Sequence, residues 1–329
     1  MIITQTPFRI TLGGGGTDLP AFYSKHGGFL VTSAINKYVY ITINRRTIDD
    51  TIWLSYSKIE KRKKVDSIKH ELIREALKMT GIKNGIEIHS VTELSSGTGL
   101  GSSGSFTVGL LNALHTFKRE YAPHAQLAEE ASGIEIGTLG KPVGKQDQYI
   151  AAFGGIISLE IDRKGAVTVK PLNIQEAVIE ELERRVMLFY TGVTRESAYV
   201  LADQTKACER DDKKVVANMR RIKEIGLLSK KALEDGDLDG FGALLHEHWE
   251  VKKGISNKVS FTKADELYES ARKKGALGGK VIGAGGGGFL MVFSGDNPAG
   301  LRESLKTMGL KEMRFRFDFG GTKVIANFF

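Results

Sequence analysis

Residues 85–105 read GIEIHSVTELSSGTGLGSSGS, and this stretch decides the fold. Its first part, residues 85–92, alternates apolar and polar side chains, which predicts a half-buried strand. Glycine and serine fill the rest, and an apolar run from Gly104 to about residue 117 predicts a helix. Where a glycine-rich loop enters a helix, unpaired backbone N–H groups and the positive end of the helix dipole point at the same place. The stretch therefore predicts an anion-binding loop between a strand and a helix.

Glycine is concentrated in two further places. The 329-residue chain contains 39 glycines. Four of them lie at 13–16, four at 97–104 and five at 283–288. Glycine is needed where the backbone takes a positive φ or approaches a ligand closely. Because an ordinary turn needs one or two glycines, the three clusters favour a phosphate site built from separated loops over three turns without a ligand.

The composition excludes several classes of protein. Six Pro, one Cys and 41% hydrophobic residues exclude collagen, a disordered Gly/Pro tract and a disulfide scaffold. The first residues show no secretory signal, and no apolar run reaches about 18 residues, so we expect a cytoplasmic protein without a membrane partner. A net charge of +8 suits an anionic small-molecule substrate. We interpret the basic run at 58–64 as a solvated turn and expect no nucleic-acid partner.

The order of the predicted elements indicates an α+β fold with two domains. Strands are predicted at 2–12 and 29–44, and helices alternate with strands up to about residue 170. Long helical stretches then fill 197–249 and 262–274, and short strands follow them. We place the boundary so that the domains are 1–180 and 181–329.

Residues 97–104 can be compared with two common nucleotide-binding loops. A Walker A loop needs Lys after its last glycine, but Ser102 follows Gly101, so that loop is excluded. Gly99, Gly101 and Gly104 fit the G-x-G-x-x-G pattern of dinucleotide-binding folds. No strand with a terminal acid follows about 20 residues later, as that fold requires. A nicotinamide-dependent oxidoreductase is therefore the weaker alternative.

Three stretches in order resemble a known family: residues 6–20 (TPFRITLGGGGTDLP), 94–105 (LSSGTGLGSSGS) and 280–291 (KVIGAGGGGFLM). They are similar to the three motifs of the GHMP kinases, which are named for galactokinase, homoserine kinase, mevalonate kinase and phosphomevalonate kinase. The resemblance implies a two-domain α+β fold with mixed or antiparallel sheets. It also implies a ferredoxin-like second domain, an active site between the domains, and ATP as the phosphate donor.

The second motif implies the ATP-binding residues. These are Ser96, Gly97, Thr98, Gly99, Leu100, Gly101, Ser102, Ser103 and Gly104.

A metal ligand is predicted from a helix over residues 125–139. Glu135 falls inside its apolar stripe, where a carboxylate needs either a metal or a salt-bridging Lys or Arg. The spacing from Glu135 to Asp147 also resembles the galactokinase arrangement. We therefore predict that Glu135 and Ser103 are the Mg²⁺ ligands.

Residues 140–149 (GKPVGKQDQY) supply the predicted catalytic acid. In isolation, a solvated Asp in a surface turn is the favoured interpretation. The resemblance implies instead that Asp147 accepts a proton from the acceptor hydroxyl. Lys145 would hold Asp147 ionised and compensate phosphate charge. Arg9 corresponds to a basic residue that the family places beside the transferred phosphate.

Within the family, the motifs most resemble sugar 1-kinases for heptose 7-phosphates, with fucokinases close behind. This implies a phosphorylated sugar as substrate. Asp18 would bind sugar hydroxyls or, as an alternative of equal weight, cap the next helix. Arg195 would bind the distal phosphate, with Lys145 as a second candidate; alternatively, Arg195 is a surface residue at a helix start. The other predicted substrate residues are Gly15, Gly16, Thr17, Gly144, Gly286 and Gly287.

Several alternatives stay open at this stage. One is a kinase for fucose or another hexose, and another is a non-catalytic protein that binds ATP and sugar. The sequence also leaves a homodimer open. His246 and His248 stand two apart on a predicted helix and point about 200° away from each other. We therefore interpret them as core or surface residues and not as a metal site.

Overall fold

The structure, a computed structural model, describes residues 1–95, 97–193, 197–255, 259, 262–283, 285 and 287–329. For residues 197–200 and 262 it describes the backbone only. Within these residues the chain forms two β-sheets with helices packed against them. The predicted α+β class is confirmed.

The strands of the described residues are β1 Ile2–Gly13, β2 Gly28–Arg45, β3 Ile52–Ser55, β4 Ile59–Arg62, β5 Ile86–Thr92, β6 Ile156–Ile161, β7 Val167–Pro171, β8 Val186–Tyr190, β9 Ala276–Val281, β10 Phe289–Ser294, β11 Lys311–Met313 and β12 Lys323–Asn327. The helices are α1 Pro20–His26, α2 Glu71–Thr80, α3 Ser102–Phe117, α4 His124–Ser132, α5 Gln146–Phe153, α6 Glu176–Arg185, α7 Ser197–Glu209, α8 Lys213–Asp235, α9 Leu238–Lys253, α10 Thr262–Lys273 and α11 Pro298–Thr307. A short 3₁₀ turn covers Val65–Ser67, and a wider π-helical turn covers Gly133–Thr138.

The first sheet runs in the order β12-β1-β2-β5-β3-β4, with β6 on β2 and β7 on β6. The long strand β2 makes this possible because its first half pairs with β6 and its second half with β5. Only β3 and β5 run parallel among the paired strands of the described residues. A dinucleotide-binding fold is built on a mostly parallel sheet. The alternative of such a fold is therefore wrong.

The second sheet has the order β11-β8-β10-β9 and is antiparallel in its described pairs. Helices α9 and α10 pack against it. The last strand, β12, returns to pair with β1 in the first sheet. Because β12 belongs to the first sheet, cutting the chain at one position does not separate the two sheets. The boundary between residues 180 and 181 stays a prediction.

Helix α3 lies against β1 and β2, and this contact fixes the central glycine loop. The Thr4 hydroxyl donates to the carbonyl of Gly109 at 2.9 Å, and the Ser105 hydroxyl donates to the carbonyl of Pro7 at 2.7 Å. Just before the helix, the carbonyl of Leu100 accepts from the backbone N–H of Arg9 at 3.0 Å. The start of α3 is thereby held beside the side chain of Arg9.

The structure differs from the sequence predictions in two places. Residues 146–153 form a helix, whereas residues 140–149 in isolation favoured a surface turn around Asp147; the first N–H of this helix is capped by Asp18, 128 residues away. The basic run at 58–64 contains β4, which forms a hairpin with β3 where we predicted a solvated turn. Its Glu60 is buried and accepts from the backbone N–H groups of Lys69 and His70.

Among the helices of the described residues, none combines the length and the apolar character needed to cross a bilayer.

Candidate active site

A cavity of about 130 Å³ lies where the three glycine clusters meet. Gly15 and Gly16 line it from the first cluster, and Gly283 lines it from the third. From the second cluster, Gly97, Gly99 and Gly101 form part of its wall, together with Ser102 and Ser103. The glycine clusters that the sequence singled out therefore converge on one place.

The N-terminus of α3 opens onto this cavity. Its N-cap residue is Gly101, which has a left-handed conformation with φ 83°, and no side chain caps the helix. The first N–H groups of an α-helix have no partner within the helix. With Ser102 and Ser103 lining the cavity, these groups form a site suited to a phosphate.

The second and third glycine clusters interlock. A Cβ atom on Gly99 would lie 2.6 Å from the carbonyl oxygen of Ile282, and one on Gly283 would lie 2.7 Å from the carbonyl oxygen of Gly99. Side chains at either position would push the two backbones apart. Glycine here lets the third cluster form part of the same wall as the anion-binding loop.

Asp147 and Arg9 form an ion pair in the cavity wall. The Arg9 Nε atom lies 2.7 Å from Asp147 Oδ1, and its Nη1 donates to the carbonyl of Gly99 at 2.5 Å. Arg9 is buried, whereas the Asp147 side chain remains 26% exposed. A Cβ on Gly104 would lie 2.6 Å from Asp147 Cβ, so that glycine lets α3 approach the carboxylate.

Lys145 does not take the place that we predicted for it. Its ammonium donates to Glu129 Oε1 at 3.0 Å and to the carbonyl of Gly165 at 2.7 Å. Lys145 precedes the first residue of α5 and Asp147 is the second, so their side chains leave the chain in different directions. Arg9 is the partner of Asp147, and the assignment of Lys145 to the catalytic group is corrected.

Asp18 lies in the cavity wall and is 5% exposed. Its Oδ2 accepts from the backbone N–H of Gln146 at 2.9 Å, and its Oδ1 accepts from that of Gly16 at 3.1 Å. The helix that follows it, α1, has Leu19 at its N-cap and no side-chain cap. Asp18 thus caps α5 and not α1. Burial raises the pKa of Asp18, the bond from Gln146 opposes this, and the charge of Asp147 raises it further.

The remaining predicted substrate residues divide into two groups. Gly144 lines the cavity, as Gly15 and Gly16 do. Thr17 is fully buried, and its hydroxyl donates to the carbonyls of Gly14 and Phe29, each at 2.8 Å. We therefore correct Thr17 from a substrate contact to a support of the first loop.

Other predicted residues lie outside the cavity wall or outside the described part of the chain. Gly287 packs against the backbone of Val193 and does not line the cavity. Thr98, Leu100 and Gly104 support the loop from behind. Ser96, Arg195 and Gly286 lie outside the described residues.

Glu135 is fully buried, as its position in the apolar stripe predicts. It lies in the π-helical turn after α4, and its Oε1 accepts from Gln148 Nε2 at 2.9 Å. Its Oε2 is buried and has no hydrogen-bond partner among the described residues. Burial raises the pKa of Glu135, and interactions with Gln148 and the Ser103 hydroxyl oppose this. The salt-bridge alternative is not realised in the described residues, since Lys141, the cation whose charge acts on Glu135, pairs with Glu71 at 2.7 Å.

This pair of residues fits a magnesium ion. A buried carboxylate oxygen without a partner needs a donor or a cation. Mg²⁺ takes oxygen ligands and is usually held by one or two protein groups together with substrate phosphates. Ser103 lines the cavity beside the anion-binding N-terminus of α3. The donor set of Glu135 and Ser103 therefore suits Mg²⁺ bound to phosphate.

Three basic residues that sequence reasoning assigned no role also line the cavity: His248 and Lys252 of α9 and Lys280 of β9. Lys280 Nζ lies 3.0 Å from His248 Nδ1, and Lys252 Nζ donates to the carbonyl of Gly283 at 2.5 Å. Burial, followed by the charge of Arg9, lowers the pKa of Lys252 to about 8. Two signals were present in the sequence. His248 and Lys252 stand four apart on one helix face, and Lys280 interrupts an apolar strand.

Comparison with known proteins identifies the family. Residues 67–155 match the family model of the GHMP kinases N terminal domain, and residues 229–309 match that of the GHMP kinases C terminal. A D-glycero-alpha-D-manno-heptose 7-phosphate kinase of Campylobacter jejuni is 32% identical over 98% of this chain and 97% of its own. A galactokinase of Pyrococcus furiosus is 25% identical, with 87% of each chain covered.

Solved structures agree with the family models. A D-glycero-D-manno-heptose 1-phosphate kinase from Bacteroides thetaiotaomicron matches with a TM-score of 0.82 at 25% identity, covering 100% of both chains. A Lactococcus lactis galactokinase complexed with galactose shares the fold, with a TM-score of 0.78 at 20% identity over 98% of this chain and 94% of its own. This chain therefore belongs to the GHMP kinase family, as a sugar kinase that transfers a phosphoryl group from ATP to an alcohol acceptor.

Proposed function

We propose that this sugar kinase phosphorylates the anomeric C1 hydroxyl of D-glycero-D-manno-heptose 7-phosphate and forms the 1,7-bisphosphate. The observation that carries the proposal is the pairing of Asp147 with Arg9 beside the uncapped N-terminus of α3. Similarity to the heptose 7-phosphate kinase over nearly the whole chain supports the choice of sugar. The two heptose-kinase relatives carry names that differ in the position of the phosphate, so the position is a matter for experiment.

Asp147 is the general base of the proposed reaction. Its Oδ1 is occupied by Arg9 Nε at 2.7 Å and approached by Gln146 Nε2 at 3.3 Å. Its Oδ2 receives no hydrogen bond from the described residues and can accept the proton of a sugar hydroxyl. The hydroxyl oxygen attacks the γ-phosphorus, the bond from that phosphorus to the β–γ bridging oxygen breaks, and ADP leaves with the electron pair.

The positive charge of Arg9 serves two purposes. It fixes the direction of the Asp147 carboxylate, and it stabilises the negative charge that spreads over the transferred phosphoryl group. Because Arg9 also donates to the carbonyl of Gly99, its guanidinium is held from two sides and needs little reorganisation during the reaction.

The start of α3 binds the ATP phosphates in this proposal. Residues 97–104 offer backbone N–H groups at a helix N-terminus. Glu135 and Ser103 would hold Mg²⁺, which supplies neutralisation of phosphate charge when it is bound. Ser103 lines the same cavity as Arg9 and Asp147, and Glu135 accepts from Gln148, the residue that follows Asp147.

The acceptor sugar binds beside Asp147 in this proposal. Asp18, Gly15, Gly16 and Gly144 line the same cavity as Asp147. Each Asp18 oxygen accepts one backbone N–H and keeps capacity for a sugar hydroxyl. Arg195 as a ligand of the distal phosphate stays a prediction, as do a homodimer and a cytoplasmic location.

A screen of ADP release tests this function. The protein is incubated with ATP, Mg²⁺ and a panel of free and phosphorylated sugars, including heptose 7-phosphate, fucose and galactose. We expect the largest kcat/KM with heptose 7-phosphate. A larger value with a free hexose would overturn the choice of acceptor and keep the kinase assignment. ATP and sugar binding without ADP release from any acceptor would favour the non-catalytic alternative.

A further inference from the structure

Two buried lysines enter the active-site cavity from the second sheet and its helix. Lys252 of α9 is 7% exposed and Lys280 of β9 is 2% exposed. His248, one turn before Lys252 on α9, is 1% exposed and lies beside Lys280. The three side chains line the same cavity as Asp147 and Arg9.

Within the described part of the chain, neither lysine has an acidic partner. Lys252 donates to a backbone carbonyl, that of Gly283, and Lys280 donates to the neutral ring nitrogen of His248. The charges that act most strongly on the pair are other cations: Arg9 on Lys252, and Lys252 and Arg9 on Lys280. Of the carboxylates that line the cavity, Asp147 already pairs with Arg9, and Asp18 accepts two backbone N–H groups.

Such an arrangement is unfavourable without an anion. A buried ammonium that lacks a counter-charge carries a desolvation penalty that a single hydrogen bond does not offset. Gly283 and His248 each accept one hydrogen bond, and this fixes the direction of the two ammonium groups. His248 Nε2 is buried and has no hydrogen-bond partner among the described residues. With Nδ1 as the acceptor, Nε2 carries a proton and offers a third donor.

We propose that Lys252 and Lys280, oriented by Gly283 and His248, form a phosphate-binding subsite on the α9 and β9 side of the cavity. The ligand is a phosphate group of the reacting pair. It has two candidate sources, the phosphate already carried by the acceptor and the phosphoryl group that leaves ATP. The first source rests on the proposed function, whereas the second requires only a kinase. Lysine is a common phosphate ligand that acts as a compact point charge.

The first test uses inorganic phosphate and is independent of the sugar. Melting temperatures are measured in phosphate and in chloride at equal ionic strength for the wild type, Lys252→Met and Lys280→Met. Lys253→Met is the matched control, because its ammonium pairs with Glu250 at 2.7 Å on the surface. We expect phosphate to stabilise the wild type and the control, and to stabilise each of the two cavity variants by less than half as much. Equal stabilisation of all four proteins, or none of the wild type, would overturn the subsite.

The same variants distinguish this subsite from a structural role. Without phosphate, Lys252→Met removes an unpaired buried charge and keeps the aliphatic stem, so we expect its melting temperature to equal or exceed that of the wild type. A lysine kept for stability would give a lower melting temperature and unchanged kinetics, and that result would contradict the proposal. Lys252→Arg, which keeps the charge, should recover part of the lost phosphate effect.

Kinetics identify the source of the phosphate. We expect kcat/KM for the phosphorylated acceptor to fall roughly 10- to 100-fold in Lys252→Met, the loss of one charged hydrogen bond. A rise in KM with kcat retained assigns the subsite to the phosphate of the acceptor. A fall in kcat assigns it to the phosphoryl group in transfer. Wild-type kcat and KM in both cavity variants would overturn the proposal, even where heptose 7-phosphate is confirmed as the substrate.

Discussion

The two sides of the active-site cavity treat charge differently. On the side of the first sheet, Arg9 pairs with Asp147, and Asp18 accepts two backbone N–H groups. On the side of the second sheet, Lys252 and Lys280 are buried without an acidic partner among the described residues. On the first side the charged side chains Arg9, Asp147 and Asp18 have partners within the protein, whereas on the second side the two lysines lack an acidic partner among the described residues. The difference indicates that Arg9 and Asp147 align the reacting groups. Lys252 and Lys280 would instead bind negatively charged groups of the substrates.

We call the side of the cavity with Arg9 and Asp147 the paired side and the side with Lys252 and Lys280 the unpaired side. The largest effect is expected on the paired side. Asp147→Asn keeps the size of the side chain and removes the base, so we expect kcat to fall by about 10²- to 10⁴-fold. ADP release under saturating substrates measures this loss. The control is Asp50→Asn, at an exposed position, with wild-type kcat expected. If Asp147→Asn lost less than about tenfold, Asp147 would be a positioning group and the general-base role would be wrong.

Glu135→Gln tests the proposed Mg²⁺ site of Glu135 and Ser103. The carboxylate with one unpartnered buried oxygen becomes an amide, which is a poor Mg²⁺ ligand. We expect the Mg²⁺ concentration for half-maximal activity to rise by about 10- to 100-fold or more. The melting temperature without Mg²⁺ should stay within a few degrees of the wild type. Glu71→Gln, which removes the surface partner of Lys141, is the control. An unchanged Mg²⁺ dependence would remove Glu135 from the site.

The unpaired side predicts a pH effect on stability. Burial, followed by the charge of Arg9, lowers the pKa of Lys252 to about 8, below the usual lysine value of 10.5, and burial also lowers the pKa of the neighbouring Lys280. Between these two values the unfolded chain binds more protons than the folded one, so the free energy of unfolding contributed by this group rises with pH. Below pH 8 the full penalty is present.

The measurement is the free energy of unfolding of Lys252→Met minus that of the wild type, taken from pH 7 to pH 10.5. We expect the variant to be the more stable protein at pH 7, by up to about 3 kcal/mol, and the difference to vanish as pH rises. The neutral neighbour His248 does not change charge in this window, since burial and the two lysines lower its pKa. A difference that is constant with pH would show that Lys252 is not a buried cation.

The smallest effect is expected for Lys145→Met, because Lys145 lies outside the cavity wall on the paired side. Lys145 binds Glu129, whose side chain is 49% exposed, and it does not contact Asp147. Because Lys145 does not line the cavity and bonds to Glu129 and the carbonyl of Gly165, we expect kcat to change by less than about fivefold. Initial rates at saturating ATP and acceptor check this value. A loss as large as that of Asp147→Asn would restore the role that the sequence predicted for Lys145.

The paired side was largely readable from the sequence. The resemblance of residues 6–20 and 140–149 to the GHMP kinases implied that Arg9 and Asp147 belong to one site, and the apolar stripe predicted the burial of Glu135. We predicted Lys145 and not Arg9 as the partner of Asp147, because no N-cap side chain next to residues 146–153 indicates that a helix begins there. Asp18 supplies that cap from a distant loop, and the resulting helix turns Lys145 away from Asp147.

The unpaired side left only two weak signals in the sequence, the spacing of His248 and Lys252 and the lysine in an apolar strand, and each residue also has an ordinary local explanation. Lys252 lies near the end of a long helix, where a basic residue favours the helix dipole. Lys280 follows two glycines in a strand, where a polar residue suggests an exposed edge. Only the packing of α9 against β9 brings the two ammonium groups together and removes them from water. Pairwise distances of this kind are set by tertiary contacts and not by a sequence pattern.

We propose that Asp147 and Arg9 activate the anomeric hydroxyl of a phosphorylated heptose. The most direct measurement is phosphorus and proton NMR of the product formed from ATP and heptose 7-phosphate. We expect a second phosphate whose phosphorus couples to the anomeric proton, and formation of this product at least about 100-fold more slowly with Asp147→Asn. A phosphate on any other carbon would contradict it, as would turnover by Asp147→Asn at the wild-type rate.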